Sequence, residues 1–435
     1  MDWPLILLLL FGSLLLLMFI GLPVAFSFLF VTSGAVYLLM GGVNGLTQLI
    51  VSIFDSLTKF NLTAIPFFIL MGEVLYHSGL VSKALDVFSK WVGSIPGRLS
   101  VVTFLIGGLF GALSGATVAS TAVLASLMVP EMMRRRYDKE MILGPIMASG
   151  ALDMIIPPSA LTVLLGTIAE VSIGRLLINA IVPGYILLGI YVGFVVIRCW
   201  LNPSLAPKYE FANVSLKEKI FSGLRDLLPL GIVIFVALGL MMLGVATPTE
   251  AAALASLVAF ILAAFYRSLS FKVIKISILS SLQVTVMILT IIAASAAFSQ
   301  VLAFSGASRG MLQLVLGVAV SPFWILIIML VIVILLGCFI EQVSIMMITL
   351  PIFMPIVKTL GMDPVWVCIL ILLCLSIGQL SPPFGLALFV MKATSPPEIT
   401  MKDIYKAAWP YCLLDFIGVA LILAFPILAT WFKGS

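Results

Sequence analysis

Two similar stretches decide the fold of this chain: Ser149-Gly-Ala-Leu-Asp-Met-Ile-Ile-Pro-Pro-Ser159 and Ser376-Ile-Gly-Gln-Leu-Ser-Pro-Pro-Phe-Gly385. Each places a Pro-Pro step and several polar side chains inside a run that is otherwise apolar enough to span a bilayer. Proline lacks a backbone N–H and distorts a helix, so each run should break near its middle and leave carbonyl groups unpaired. Hydrocarbon tolerates such a break only where protein or a polar cavity covers it. Two broken membrane helices, one in each half of the chain, predict a midplane substrate and ion site of the kind found in secondary transporters.

The composition is that of a protein embedded in a lipid bilayer. Of 435 residues, 63% are hydrophobic and only 9% are charged, far outside the range of soluble globular domains. The formal charge of +5 is small for this length, and an excess of Lys and Arg in cytoplasmic loops accounts for it without a nucleic-acid partner. The five cysteines show no disulfide or metal spacing, and there is a single histidine. These features predict an all-α polytopic membrane protein.

The chain consists of two copies of one unit. Pro23 and Pro248, and likewise Asp138 and Asp363, are separated by 225 positions, and several further pairs share nearly the same offset. The predicted division is repeat one at 1–205, a cytoplasmic linker at 206–225 and repeat two at 226–435.

The positive charges predict that the two copies have opposite orientations. Repeat one carries Arg134, Arg135, Arg136 and Lys139 where repeat two has only Lys358. Since Lys and Arg collect in cytoplasmic loops, corresponding loops should lie on opposite sides of the membrane. The expected topology has an external N-terminus and a cytoplasmic loop at 202–226, and it makes the unit an inverted-topology repeat.

Each repeat is predicted to contain outer scaffold helices, a helical hairpin, a broken helix and a final span. In repeat one, the uncharged run 99–130 is basic at both ends, so it should enter the membrane and return to the same side. A re-entrant hairpin fits arms of this length, although two full spans with an external turn remain an alternative. The predicted segments are scaffold helices at 1–60, hairpin and broken helix at 98–171, and a return helix at 176–199, then scaffold helices at 228–266, hairpin and broken helix at 322–395, and a last helix at 404–431.

Two carboxylates, Asp153 and Glu341, fall at predicted membrane depth. Placing a charged side chain there costs roughly 2.5–3.5 kcal/mol on insertion scales, so a functional role is the default hypothesis for each carboxylate. Na⁺ prefers oxygen ligands, which unwound carbonyls, hydroxyls and carboxylates supply. The alternative is that these polar groups only cap helix ends and bridge helices. The candidate substrate and ion residues are Ser114, Gly115, Thr117, Ser149, Gly150, Asp153, Pro157, Pro158, Glu341, Gln342, Ser344, Ser376, Gly378, Ser381, Pro382 and Pro383. Those expected to bind Na⁺ are Ser114, Gly115, Ser149, Asp153, Glu341, Ser344, Ser376 and Gly378.

Other motifs favour structural roles or are missing. Thr247, Pro248 and Glu250 have the spacing of a helix capping box. No Walker motif, nucleophile–base set or redox-ligand set occurs. We therefore expect no enzymatic activity and no organic cofactor, and an ion gradient as the driving force.

Several motifs, set in this order over nearly the whole chain, resemble the large membrane subunit (DctM-like) of tripartite ATP-independent periplasmic (TRAP) transporters. The motifs are Gly21-Leu-Pro-Val-Ala25, Ile65-Pro-Phe-Phe-Ile-Leu-Met-Gly-Glu73, Ser114-Gly-Ala-Thr-Val-Ala-Ser120, Ile156-Pro-Pro-Ser159, Ala246-Thr-Pro-Thr-Glu-Ala-Ala252 and Ser381-Pro-Pro383.

This resemblance implies Na⁺-coupled uptake of an organic acid anion, such as a C4-dicarboxylate, a sialic acid or a keto acid. It implies delivery by a periplasmic binding protein, a small membrane subunit, here expected as a separate chain, and an elevator-type movement. The implied location is the cytoplasmic (inner) membrane of a bacterium or archaeon. A stand-alone Na⁺/carboxylate symporter, a passive channel and a membrane-embedded enzyme are the alternatives.

Overall fold

A computed structural model describes residues 3–114, 117–207, 215–317, 320–383 and 385–433. Every regular element in these ranges is a helix, which confirms the predicted all-helical fold. Within the same ranges, seven helices are long and apolar enough to cross a membrane, and further apolar helices are shorter.

Repeat one begins with five helices and continues with a hairpin, a broken helix and a long final helix. The first five are α1 (Trp3–Phe19), α2 (Val24–Leu39), α3 (Val43–Leu57), α4 (Ala64–His77) and α5 (Leu80–Val92). Hairpin one comprises α6 (Arg98–Ser114) and α7 (Thr117–Arg134), broken helix one comprises α8 (Lys139–Leu152) and α9 (Ala160–Ile168), and α10 (Ile173–Leu201) ends the repeat.

Repeat two follows the same order. Its first span comprises α11 (Leu216–Ser222), α12 (Leu228–Ile234) and α13 (Leu240–Met242), joined by π-helical turns at Gly223–Leu227 and Phe235–Gly239. Next come α14 (Pro248–Phe265), α15 (Phe271–Phe304) and α16 (Ala307–Gly317). Hairpin two comprises α17 (Pro322–Gly337) and α18 (Gln342–Thr359), broken helix two comprises α19 (Pro364–Leu380) and α20 (Leu386–Thr394), and α21 (Met401–Ala424) is last.

The helix bounds differ from the predicted segments in two places. Helix begins inside the predicted linker 206–225, at Leu216, because the Ser215 hydroxyl caps it by accepting a hydrogen bond from the Glu218 N–H at 3.2 Å. The first span of repeat two therefore starts before 228. The last helix, predicted at 404–431, ends at Ala424, because Pro426 disfavours helical backbone at the residue before it.

The junction between hairpin and broken helix is built in the same way in both repeats. Two residues after the end of each hairpin, Arg136 (φ 58°) and Gly361 (φ 68°) are both in the left-handed region, and they are 225 positions apart. Two residues later, Asp138 and Asp363 cap α8 and α19, each accepting a backbone N–H at 2.8 Å. At this junction, positions that are 225 apart in the sequence therefore have matching backbone conformations and helix caps in the two repeats.

The helices form two packed groups that draw on both repeats. In the central module, defined as α6–α10 and α17–α21, α21 packs on α8 and α19, while α9 packs on α18 and α20 on α7. Each half-helix that follows a break thus contacts the hairpin of the other repeat. In the outer frame, defined as α1–α4, α14 and α15, α4 packs on α14 and α15, and α2 packs on α15.

Hairpin two meets broken helix two at a backbone-to-backbone contact. A Cβ added at Gly337 would lie 2.6 Å from the Cα of Gly378, so an Ala there would overpack the crossing. We expect Gly337→Ala to lower the free energy of unfolding by about 1–3 kcal/mol. Thermal unfolding in detergent tests this. Gly193→Ala is the matched control, since a Cβ there meets nothing within 4 Å; equal losses in both variants would contradict the contact.

Candidate ion and substrate site

The first arm of hairpin one, α6, runs alongside the first half of broken helix one and reaches the level of its break. The Ser100 hydroxyl donates to the Met141 carbonyl at 2.7 Å. Further along, a Cβ added at Gly107 would lie 2.2 Å from the Cβ of Ser149, and one at Gly111 would lie 2.5 Å from the Cα of Asp153. These pairs advance in the same direction, so α6 is parallel to α8 and its last turns lie beside the start of the break. This geometry favours a re-entrant hairpin over two full spans.

The first break is a compact loop closed by short-range hydrogen bonds. It joins α8 to α9, and the bond between Pro157 and Pro158 is cis. The Ser159 hydroxyl accepts from the Thr162 N–H at 3.4 Å, and the Thr162 hydroxyl donates to the Met154 carbonyl at 2.6 Å. The loop therefore satisfies part of the backbone polarity that the prolines release.

Asp153 lies at the start of this loop, buried against hairpin one. Its side chain is 1% exposed and is directed at Gly111. Ser120 of the hairpin provides a hydroxyl beside the carboxylate, but among the described residues neither oxygen has a hydrogen bond of normal geometry. A buried carboxylate is normally paired or bound to a cation. Among the sequence candidates, Asp153 therefore has the surroundings that best fit a cation ligand.

The other candidates of repeat one either make structural contacts or lie outside the residues that the structure describes. The Ser149 hydroxyl donates to the carbonyls of Pro145 at 2.6 Å and Thr103 at 3.2 Å, which bridges α8 to α6. Gly150 is buried in the last turn of α8. Gly115 and the side chains of Ser114 and Thr117 lie outside the described residues.

Glu341 caps the second arm of hairpin two. Its carboxylate accepts hydrogen bonds from the backbone N–H of Ser344 at 3.1 Å and from the Ser344 hydroxyl at 3.0 Å. Ser344 and the neighbouring Gln342 are buried. The predicted capping alternative thus describes the contacts of Glu341, whose carboxylate is already engaged within its own turn.

The second break is also a compact loop with a cis Pro382–Pro383 bond. The Ser381 hydroxyl donates to the Ile377 carbonyl at 2.7 Å. A Cβ added at Gly385 would lie 2.4 Å from the carbonyl oxygen of Gln379, so the chain folds back over the end of α19. Gln379 is buried, and its amide oxygen has no hydrogen-bond partner among the described residues.

A buried polar cluster that the sequence analysis missed joins three helices of the central module. Asp415 of α21 accepts hydrogen bonds from the Tyr191 hydroxyl of α10 and, at 3.1 Å, from the Ser376 hydroxyl of α19. All three side chains are at most 2% exposed. Ser376 therefore faces α21, whereas Gly378 faces hairpin two. The available signal was a carboxylate in the otherwise uncharged stretch that follows Lys406 in α21.

We expect Tyr191→Phe to lower the free energy of unfolding by about 1–3 kcal/mol, because it removes one donor from a buried carboxylate. The measurement is thermal unfolding in detergent. The matched control is Tyr185→Phe on the same helix, where the side chain is 58% exposed and little change is expected. In an Asp415→Asn background the cost of Tyr191→Phe should shrink; an unchanged cost would mean that the tyrosine does not act through Asp415.

The hairpins and the breaks together define a class of protein. Paired hairpins, paired broken helices and buried polar groups at the breaks are features of membrane transporters built from internal repeats. The crystal structure of the Alcanivorax borkumensis YdaH transporter has a similar fold, with a TM-score of 0.65, 16% identity, and 91% of each chain covered. Residues 11–428 match the family "Tripartite ATP-independent periplasmic transporter, DctM component", and the chain belongs to this family.

Two relatives illustrate the range of the family. The C4-dicarboxylate TRAP transporter large permease protein DctM of Pseudomonas aeruginosa is 32% identical over 398 residues, which is 91% of each chain. The isethionate TRAP transporter permease protein DctMQ of Oleidesulfovibrio alaskensis is 29% identical over 429 residues, which is 98% of this chain and 66% of that protein. The resemblance drawn from the motifs is therefore confirmed.

Proposed function

We propose that this chain is the subunit that carries substrate across the membrane in a Na⁺-coupled, tripartite uptake system for an organic acid anion. The observation that carries the proposal is Asp153, a buried carboxylate without a normal hydrogen bond among the described residues, held where hairpin one meets the first break. A cation there would neutralise a charge that is costly to bury. Coupling follows if the anion binds well only when the cation is present.

The packing supports a movement of the central module against the outer frame. Both hairpins and both broken helices belong to the module, and each half-helix after a break packs on the other repeat's hairpin. The two sites at the breaks would therefore travel together as one body. This is the elevator arrangement that the family resemblance implies, and here it is a proposal.

The proposed partners and substrate follow from the family. Both relatives described above are named for small organic anions, a C4-dicarboxylate and isethionate, and we propose a substrate of this class. We further propose a small membrane subunit as partner, a binding protein that delivers the substrate, and an inner-membrane location with the 202–226 loop in the cytoplasm.

Uptake into proteoliposomes tests the whole scheme. The vesicles contain this chain and its small membrane subunit, and the neighbouring binding protein is added outside with labelled anion, with or without an inward Na⁺ gradient. We expect uptake only when the binding protein and the gradient are both present. Uptake without the binding protein would favour the stand-alone symporter, and uptake indifferent to Na⁺ would contradict the coupling.

Asp153→Asn tests the proposed cation ligand. The amide keeps the shape of the side chain but removes the charge, so the Na⁺ concentration for half-maximal uptake should rise about tenfold or more, which corresponds to about 1.4 kcal/mol. Asp86→Asn is the control, since Asp86 is exposed on α5 and should not affect the Na⁺ dependence. A folded Asp153→Asn variant with wild-type Na⁺ dependence would exclude Asp153 as the ligand.

A further inference from the structure

A polar cavity lies between the central module and the outer frame, away from both breaks. Its volume is about 340 Å³, and its walls come from α3, α15 and the C-terminal end of α9. An adjoining cavity of about 420 Å³ reaches towards the start of α14 and shares Lys59, Thr167 and Glu170 with it. Each volume falls within the range typical of small-molecule pockets.

The walls of the smaller cavity are unusually polar for this chain. Ser52 and Ser56 of α3, and Ser295 and Ser299 of α15, line it in pairs four residues apart, a spacing that places both members of a pair on one helix face. The amide oxygen of Gln300, also in the wall, is buried and has no hydrogen-bond partner among the described residues. The frame thus presents several converging polar groups to one space.

One positive and one negative side chain stand at the junction of the two cavities. The Lys59 ammonium nitrogen lies 3.7 Å from the nearest Glu170 carboxylate oxygen, and the two side chains are 56% and 67% exposed. This distance is longer than a hydrogen bond, and exposed ion pairs of this kind contribute little stability. A ligand can therefore separate the pair at low cost and reach it from the surface.

The cavity is connected to the candidate site by α9. This helix starts directly after the first break and is nine residues long, which corresponds to about 13 Å. Thr167 lies near its far end, and Lys59 belongs to the frame. The cavity is thus on the side that the charge pattern assigns to the exterior, and one wall belongs to the module proposed to move.

We infer that this cavity is an external subsite for a hydroxylated carboxylate, in which Lys59 binds the carboxylate and the hydroxyl groups bind Glu170, Gln300 and the serines. The chemistry of the walls sets this class. A plain dicarboxylate offers only acceptors and would leave the buried Gln300 oxygen without a donor, whereas a hydroxyl group satisfies that oxygen and can also donate to Glu170. The inference rests on the proposed function, since it names the class of anion that the transporter takes.

Direct binding, rather than uptake, tests the subsite, because a binding protein imposes its own selectivity on uptake. The complex of this chain with its small membrane subunit is placed in nanodiscs in Na⁺ buffer and titrated by calorimetry with D-gluconate or succinate. We expect gluconate to bind at least about tenfold more tightly than succinate, because a site built to pair hydroxyl groups rejects an analogue that lacks them. Equal affinities, or no gluconate binding, would overturn the inference.

Variants identify the cavity as the place of binding. Lys59→Met should weaken gluconate binding about tenfold or more by removing a charge-assisted hydrogen bond, and Lys59→Arg should restore part of the loss. Lys358→Met, at an exposed lysine at the end of hairpin two, is the matched control. Gluconate binding that is unchanged in Lys59→Met, or weakened equally in Lys358→Met, would overturn the site.

A pair of smaller changes covers the case in which Lys59→Met does not fold. Ser295→Ala combined with Ser299→Ala should weaken gluconate binding and leave succinate binding unchanged, and equal effects on both probes would count against the site.

The proposed function and the proposed subsite can be contradicted independently of each other. Uptake that ignores Na⁺ or the binding protein contradicts the proposed function, whereas the contrast between gluconate and succinate measures the cavity alone.

Discussion

Unpaired backbone at the two Pro-Pro breaks is the constraint on which the rest of this structure depends. Hydrocarbon offers no hydrogen-bond partners, so protein must cover any irregular backbone at membrane depth. Each hairpin provides that cover by close approach: Gly107 and Gly111 allow α6 to lie against α8, and Gly337 meets Gly378 across hairpin two. A larger side chain at any of these contacts would separate hairpin from break. The prolines thus create backbone that must be covered, and the glycines allow the hairpins to come close enough to cover it.

Two buried aspartates show how similar residues acquire different roles from their surroundings. Asp415 receives hydrogen bonds from Tyr191 and Ser376, and satisfied in this way it joins α10, α19 and α21 into one body. Asp153 is equally buried, yet among the described residues it lacks a hydrogen bond of normal geometry. A buried polar group that is satisfied rigidifies a fold, whereas one that is not satisfied is costly unless a ligand completes it. This difference in surroundings supports the proposal that Asp153 binds a ligand, whereas Asp415 has a structural role.

The features that sequence predicted are those fixed by neighbours along the chain. The breaks follow from Pro-Pro steps, and the capping box of Thr247 and Glu250 is present as predicted. The polar cluster was not predictable in this way, because Tyr191 and Asp415 are 224 positions apart and meet only through the packing of α10 on α21. The orientation of Ser376 was missed for a related reason: the residue type indicates a possible oxygen ligand, but only tertiary packing decides which helix the side chain faces.

The contacts that hold the central module together differ in kind from those at its border with the outer frame. Inside the module, hydrogen bonds between buried groups such as Asp415 and Ser376 fix one geometry, since a displacement would leave polar groups unpaired. At the border, α4, whose buried residues are all apolar or glycine, packs on α6 and α9, and the ion pair of Lys59 with Glu170 is exposed. Apolar burial is non-directional, so a sliding movement can exchange one apolar contact for another at similar buried area. This difference between the two kinds of contact supports the proposed movement, because the module would keep its internal geometry while its apolar border slides.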